Sequence, residues 1–181
     1  MTATSTQKQA GFTPRKLYFV LAIAEACTWT LLITGLILRA TTGIDQTLFT
    51  TIGGLHGLVF ISYGATSILV AFNQRWGFWV GLLAVITAIL PYATIPFELV
   101  QAKRGALEGP WRTLATDDPR DAKALDRLFR WFLARPVLLI LVIVLAIVAV
   151  FSTLLFLGPP EDAKPMSTYS FHITHNEGTD A

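Results

Sequence analysis

Polar and apolar positions along this chain are sorted into blocks. Four stretches are almost wholly apolar. Leu17–Leu38 is closed by Arg39, and Phe49–Phe72 runs into Asn73-Gln74-Arg75-Trp76. Gly77–Val100 meets Gln101-Ala102-Lys103-Arg104, and Pro136–Leu157 stops at Gly158-Pro159-Pro160. A hydrocarbon core of about 30 Å takes about 20 helical residues, so each block is long enough to cross. Basic residues, prolines and the aromatics Tyr18, Trp76, Phe78 and Trp79 stand at the flanks, where a water interface favours them. The pattern predicts an all-α fold: a polytopic membrane helix bundle of four transmembrane helices. The first block follows Lys8, Arg15 and Lys16 but has too few apolar residues ahead of its small-residue sites for a signal peptide. It is read as a retained span.

The segment between the third and fourth blocks has a different period. Thr116-Asp117-Asp118-Pro119 has the composition of a helix start. After it, Leu125, Leu128, Phe129 and Phe132 make one stripe, and Lys123, Arg127 and Arg130 the other. Asp126 and Arg130 stand one turn apart and can pair. The expectation is an interfacial amphipathic helix on the headgroups, with those three basic residues facing them. A helix docked on a partner protein has the same pattern.

The predicted organisation is a disordered tail over 1–16, a three-span core over 17–101 and a basic connection over 102–135. A fourth span covers 136–158, and a second disordered tail 159–181. His172 and His175 in that tail are a weak ligand pair in a solvated segment.

Composition sharpens this picture. Hydrophobic residues make up 53% of the 181 positions and charged residues only 14%, with mean hydropathy +0.56. Soluble domains carry about 25% charge, so much of the surface faces lipid and the bilayer is the first partner. The net charge of +2 implies no nucleic-acid surface. A single cysteine, Cys27, in an apolar run reads as a buried small hydrophobe and permits no internal disulfide. Lys and Arg number nine in the first and third connections against five in the tails and the short turn. With four spans, that balance favours a cytoplasmic third connection and both termini outside.

The candidate chemistry lies inside the spans. Ionisable side chains in lipid are costly and are functional suspects by default; Glu25 and His56 are the two clear cases, whereas Glu98 reads as an interfacial carboxylate. His56, Phe60, Tyr63 and Ser67 form one helical stripe, and Glu25 shares a face with Thr28. At about 1.5 Å per residue, Glu25 comes level with Tyr63, and His56 with Tyr92. Glu25, Thr28, His56, Tyr63 and Tyr92 therefore form a predicted intramembrane polar cluster. Gly53, Gly57 and Gly64 give the second span a small-residue face for close packing. The cluster fits two roles: an interhelical hydrogen-bond clasp, or a proton-accepting or ligand-binding pocket. No nucleophile with a base, phosphate loop or metal-ligand set appears, so no catalytic residue, metal or cofactor is expected.

Ala24-Glu25-Ala26 with Thr28, Leu55-His56-Gly57 followed by Tyr63, and Pro91 followed by Phe97-Glu98 resemble a family of small bacterial integral membrane proteins. That family carries a His-Gly signature and is classed as a domain of unknown function, mainly in actinobacteria and firmicutes. The resemblance covers about residues 15–101 and implies a three-helix membrane unit with no established activity. This chain departs by Ala26, where Gly is usual, and by its additional helix and fourth span.

The expected role is that of a non-enzymatic accessory or assembly component of the cell membrane. It would act by helix–helix association with a membrane-protein partner or as a homo-oligomer. The alternative is a small proton-coupled carrier or ligand-binding module using Glu25 and His56.

Overall fold

A computed structural model describes residues 13–157. Most of the first expected tail, all of the second, and His172 and His175 lie outside the described residues. Within them the chain forms six α-helices and no strand. α1 (Pro14–Thr41) starts three residues earlier than the apolar block. Thr13 Oγ1 accepts from the Lys16 backbone N–H at 3.2 Å, and Pro14 sits in the first turn. A short turn follows, with Gly43 at φ +70°. α2 (Gln46–Asn73) then begins under an Asp45 cap on Leu48 N–H at 3.0 Å. Both helices have 28 residues, about 42 Å at 1.5 Å per residue.

The third apolar block is not one span. It forms α3 (Phe78–Ile86), a 3₁₀ turn (Thr87–Ile89) and α4 (Thr94–Lys103). Pro91 causes the break. It disfavours helical backbone at the residue before it, and Leu90 is extended at ψ 125°. Tyr92 then turns the chain at φ +64°. Pro96 is tolerated because it falls in the first turn of α4.

The contacts show that α4 runs back the way α3 came. Ala88, in the 3₁₀ turn after α3, accepts a hydrogen bond from Trp29 Nε1 at 3.2 Å. Thr94 Oγ1 donates to Ala22 O at 3.2 Å, and Phe97 meets Tyr18 with ring centroids 6.5 Å apart. Successive α4 residues therefore meet successively earlier residues of α1. At the base, Trp76 Nε1 donates to Ala106 O at 2.8 Å. The pair is a re-entrant hairpin with its tip near the middle of α1. Among the described residues three helices, α1, α2 and α6 (Pro136–Leu157), are long and apolar enough to cross a membrane.

The core collects at the hairpin base: Tyr18, Ala22, Tyr63, Val70, Ala84, Ala88, Phe97 and Leu107. Tyr18 is fully buried there and is no interface aromatic; only Phe78 and Trp79 of the expected set are widely exposed. Glu98 is also buried. Cys27 is exposed on α1, facing outward rather than into the core.

The connection from α4 folds over the same end of the bundle. Asn73 Oδ1 accepts from Arg112 N–H at 2.9 Å, and Arg112 Nε donates to Asn73 O at 2.6 Å. The expected helix start at Thr116 is a loop and a 3₁₀ turn (Pro119–Ala122). Thr116 Oγ1 donates to Asp121 Oδ2 at 2.7 Å instead of capping a helix. α5 (Ala124–Leu133) follows, with Phe129 against Phe72 at 5.9 Å.

The basic stripe divides. Lys123 and Arg127 are exposed. Arg130 is buried and bound to Asp121, with Nη1 to Oδ1 at 2.8 Å, so it is not a headgroup contact. Asp126 pairs with Arg112 at 3.2 Å rather than with Arg130. Tertiary partners outcompete the one-turn pair, which is worth only about 0.2–0.5 kcal/mol.

α6 has no buried residue. It meets α2 through Phe151, which lies 3.5 Å from where a Cβ on Gly57 would stand. Gly53 and Gly64 have open space at that position, so of the expected glycine face only Gly57 packs here, and against α6. Two glycines outside that set make close helix contacts instead: Gly35 against Ile52, and Gly81 against Ala71.

Candidate functional site

α1 presents Tyr18, Ala22, Glu25 and Trp29 at i, i+4, i+7 and i+11, and α2 presents His56, Phe60, Tyr63 and Ser67 at the same spacing. The helices run antiparallel, so the stripes meet end to start. Two polar groups result, one near each end of the stripes.

The deeper group is Thr28, Trp29, His56 and Glu25. Thr28 Oγ1 lies 3.1 Å from His56 Nδ1 and donates to Glu25 O at 3.0 Å. That donation leaves its lone pairs to accept from an Nδ1–H tautomer. The Trp29 and His56 ring centroids are 4.6 Å apart. Glu25 is 0% exposed, and neither carboxyl oxygen has a hydrogen-bond partner. The one indole N–H within a turn of it, Trp29, is already committed to Ala88 O. Ala22 and Trp29, on either side of Glu25 in the stripe, both bond the hairpin.

The shallower group is Tyr18, Tyr63 and Thr87. The two phenol oxygens are 2.6 Å apart, and Tyr63 Oη is 3.2 Å from Thr87 Oγ1. Tyr63 thus bonds Tyr18 and Thr87, and no hydrogen bond joins it to the Glu25 carboxyl. Tyr92 lies at the hairpin tip, with its hydroxyl 3.3 Å from Thr30 Oγ1. It is near the level of His56 but on the outer side. Glu25, Thr28 and His56 thus come together, whereas Tyr63 belongs to a neighbouring group and Tyr92 stands apart.

Sequence reasoning missed Tyr18, Trp29 and Thr87. The first two were detectable as the i, i+4, i+7, i+11 stripe through Glu25. Thr87 becomes a partner only because the hairpin folds. Among the described residues no three His, Cys, Asp or Glu side chains are grouped for a metal ion.

A second, charged constellation lies above the hairpin base. Asp121 takes Thr116 Oγ1 and N–H, Arg130 Nη1 and Arg75. Arg75 also pairs with Asp118, and Arg120 Nη2 meets Asp118 at 2.8 Å. Hydrogen bonds from the Arg120 side chain and backbone hold the Asp118 carboxyl well below its usual range. The Thr116 hydroxyl and backbone N–H, then Arg75 and Arg130, lower that of Asp121. Asp118 in turn raises the Arg120 guanidinium.

Residues 15–103, spanning α1 through α4, match the family described as a domain of unknown function, DUF3817. A Streptomyces coelicolor protein provisionally described as a membrane protein is 36% identical over 109 residues, 58% of this chain. The chain spans only 12% of that relative's length. No solved structure matches. The matched segment contains Glu25, Thr28 and His56 together with the whole hairpin. With three helices long enough to cross a bilayer, the chain is a membrane protein similar to a bacterial membrane protein family of unknown function.

Proposed function

We propose that this chain is a non-enzymatic, multi-pass protein of the plasma membrane that works by associating with another membrane segment, a second copy or a partner subunit. One observation carries the reading. The hairpin tip, Leu90–Ala93, lies level with Trp29 and Thr30 in the middle of α1, yet Leu90 is 58% and Tyr92 42% exposed. Irregular backbone at membrane depth is tolerated only where protein or a water-filled cavity covers it. On this reading another chain covers the tip, and α6, bare of buried residues, offers a second apolar surface. α5 then lies at the interface, its exposed Leu125 and Leu128 toward lipid.

Orientation follows the same geometry. Every Lys and Arg between residues 14 and 157 except Arg39 belongs to the end where α1 starts and the hairpin has its base. The positive-inside rule puts that end in the cytoplasm. The third connection stays cytoplasmic, as four spans would have it, but α1 starts inside and α6 ends outside.

The test is disulfide cross-linking in native membranes of Leu90→Cys and Tyr92→Cys, each in a Cys27→Ser background. Cross-linked dimers or a partner adduct at these positions, absent for a cysteine at Thr42, support association. A tip that forms no adduct and is instead labelled by a water-soluble maleimide overturns it.

A second reading rests on Glu25, a fully buried carboxyl without a hydrogen-bond partner, one turn from the Thr28–His56 pair. It makes the chain a small proton-coupled carrier or ligand-binding module. Proton flux into liposomes carrying the purified protein, abolished by Glu25→Gln and by His56→Gln, favours it; equal leak in all three removes it.

A further inference from the structure

Between the end of α2 and the start of α3 lies a cavity of about 690 Å³. Its walls are apolar, with Ile68 and Phe72 on α2 facing Leu82 and Val85 on α3, and Gly77 and Gly81 leave its floor low. From Phe78 to Val85 the helix descends about 10 Å at 1.5 Å per residue, into acyl-chain depth. At its upper end the lining changes to Arg75, Arg120 and Asp126. The exposed rings of Phe78 and Trp79 beside it mark the headgroup level.

The rim is positively charged after its internal pairing. Arg75, Arg112, Arg120 and Arg130 share only three carboxylates, those of Asp118, Asp121 and Asp126. Asp126, also at the rim, pairs with Arg112, which leaves one guanidinium in excess. Arg75 lines the cavity with Nη1 and Nη2 on Asp118 and Asp121, while Arg120, 57% exposed, holds Asp118 through Nε and Nη2 and leaves Nη1 for an incoming anion. An apolar slot at acyl depth under guanidinium donors at headgroup depth has the shape and charge of one kind of molecule. A guanidinium attracts phosphate by its charge and by its remaining N–H donor, and the apolar slot suits an alkyl chain.

We infer that the α2–α3 cleft is a binding site for an anionic glycerophospholipid of the leaflet at this end. One acyl chain lies between Ile68 and Leu82, and the phosphate sits at Arg120, in the field of Arg75. The net positive rim selects anionic over zwitterionic lipid. The site is independent of the Glu25 and His56 group and of the exposed hairpin tip.

Native mass spectrometry of the full chain in mild detergent tests this, with equimolar phosphatidylglycerol and phosphatidylcholine. Wild type retains phosphatidylglycerol at least threefold over phosphatidylcholine. Arg120→Gln, at an exposed position, lowers that ratio toward one, while Arg39→Gln at the far end leaves it unchanged. Leu82→Trp, which fills the slot, lowers retention of both lipids. Equal retention of the two lipids by wild type, a ratio unmoved by Arg120→Gln, or undiminished binding in Leu82→Trp each overturns the assignment.

Discussion

The indole N–H of Trp76 donates to the carbonyl of Ala106 at 2.8 Å, thirty residues further along the chain. This bond closes the base of the re-entrant hairpin, and Trp76 also packs edge-on against Tyr18 and Phe97 at about 6 Å. Both halves of the hairpin and the start of α1 are joined at one indole. Trp76→Phe keeps a ring there but removes the donor. A net hydrogen bond is worth about 1 kcal/mol, so the variant should melt a few degrees lower in detergent. It should also be cut faster by trypsin at Lys103 and Arg104. An unchanged melting temperature and unchanged cleavage would show that ring packing alone holds the base.

The hairpin changes which connections share a side of the membrane. If the third block crossed, the α1–α2 turn and the 104–123 loop would lie together. As folded, they lie at opposite ends. A cysteine at Thr42 should therefore react with an impermeant maleimide on intact cells. A cysteine at Asp117 should react only after permeabilisation, both variants being in a Cys27→Ser background. Labelling of both sites under the same condition would restore the four-span arrangement.

Thr28 and His56 join α1 to α2 near mid-depth at 3.1 Å. Side-chain hydrogen bonds within membranes average about 0.6 kcal/mol and reach about 1.7. Thr28→Val, His56→Phe and the double variant should give a coupling energy within that interval, measured by reversible unfolding in detergent. Zero coupling would mean the pair contributes no clasp.

The charged loop should respond to acid. Both Asp118 and Asp121 titrate below their usual value in the folded protein. Carboxyls lowered by folding stabilise it fully above the unfolded value near 3.9 and lose that contribution as pH falls through the lowered one. The melting temperature should thus show no drop from these groups between pH 7 and 5, and a drop on going below pH 4. Asp121→Asn should remove its own share of the acid-dependent part and expose Arg112 and Arg120 to trypsin at neutral pH. A variant as resistant as wild type would separate the loop's order from this carboxylate.

How much of this was legible in advance differs element by element. The long helices were, because membrane thickness converts directly into runs of apolar residues: α1, α2 and α6 appear where Leu17–Leu38, Phe49–Phe72 and Pro136–Leu157 announce them. So was the stripe through His56 and Tyr63, since helical spacing alone decides which side chains share a face. The third block could not be read the same way. Gly77–Val100 has the hydropathy of a span, and hydropathy does not record direction. Pro91 signals a break, but a kinked crossing and a hairpin share that signal. Only the meeting of Trp76 with Ala106 and of Phe97 with Tyr18 decides for the hairpin.

That one reversal relocated the remaining site residues. It supplied Thr87 to Tyr63, left Tyr92 at an exposed tip, and brought the Ala88 carbonyl to the Trp29 indole N–H. The ion pairs went the same way. Local spacing favoured Asp126 with Arg130, but the folded loop offered Arg130 the buried carboxylate of Asp121, a stronger partner away from water. Composition and period along the chain fixed what each segment is, because lipid and helix geometry act locally. Which segments face one another was decided by packing between residues far apart in sequence, and no pattern along a single strand of chain carries that information.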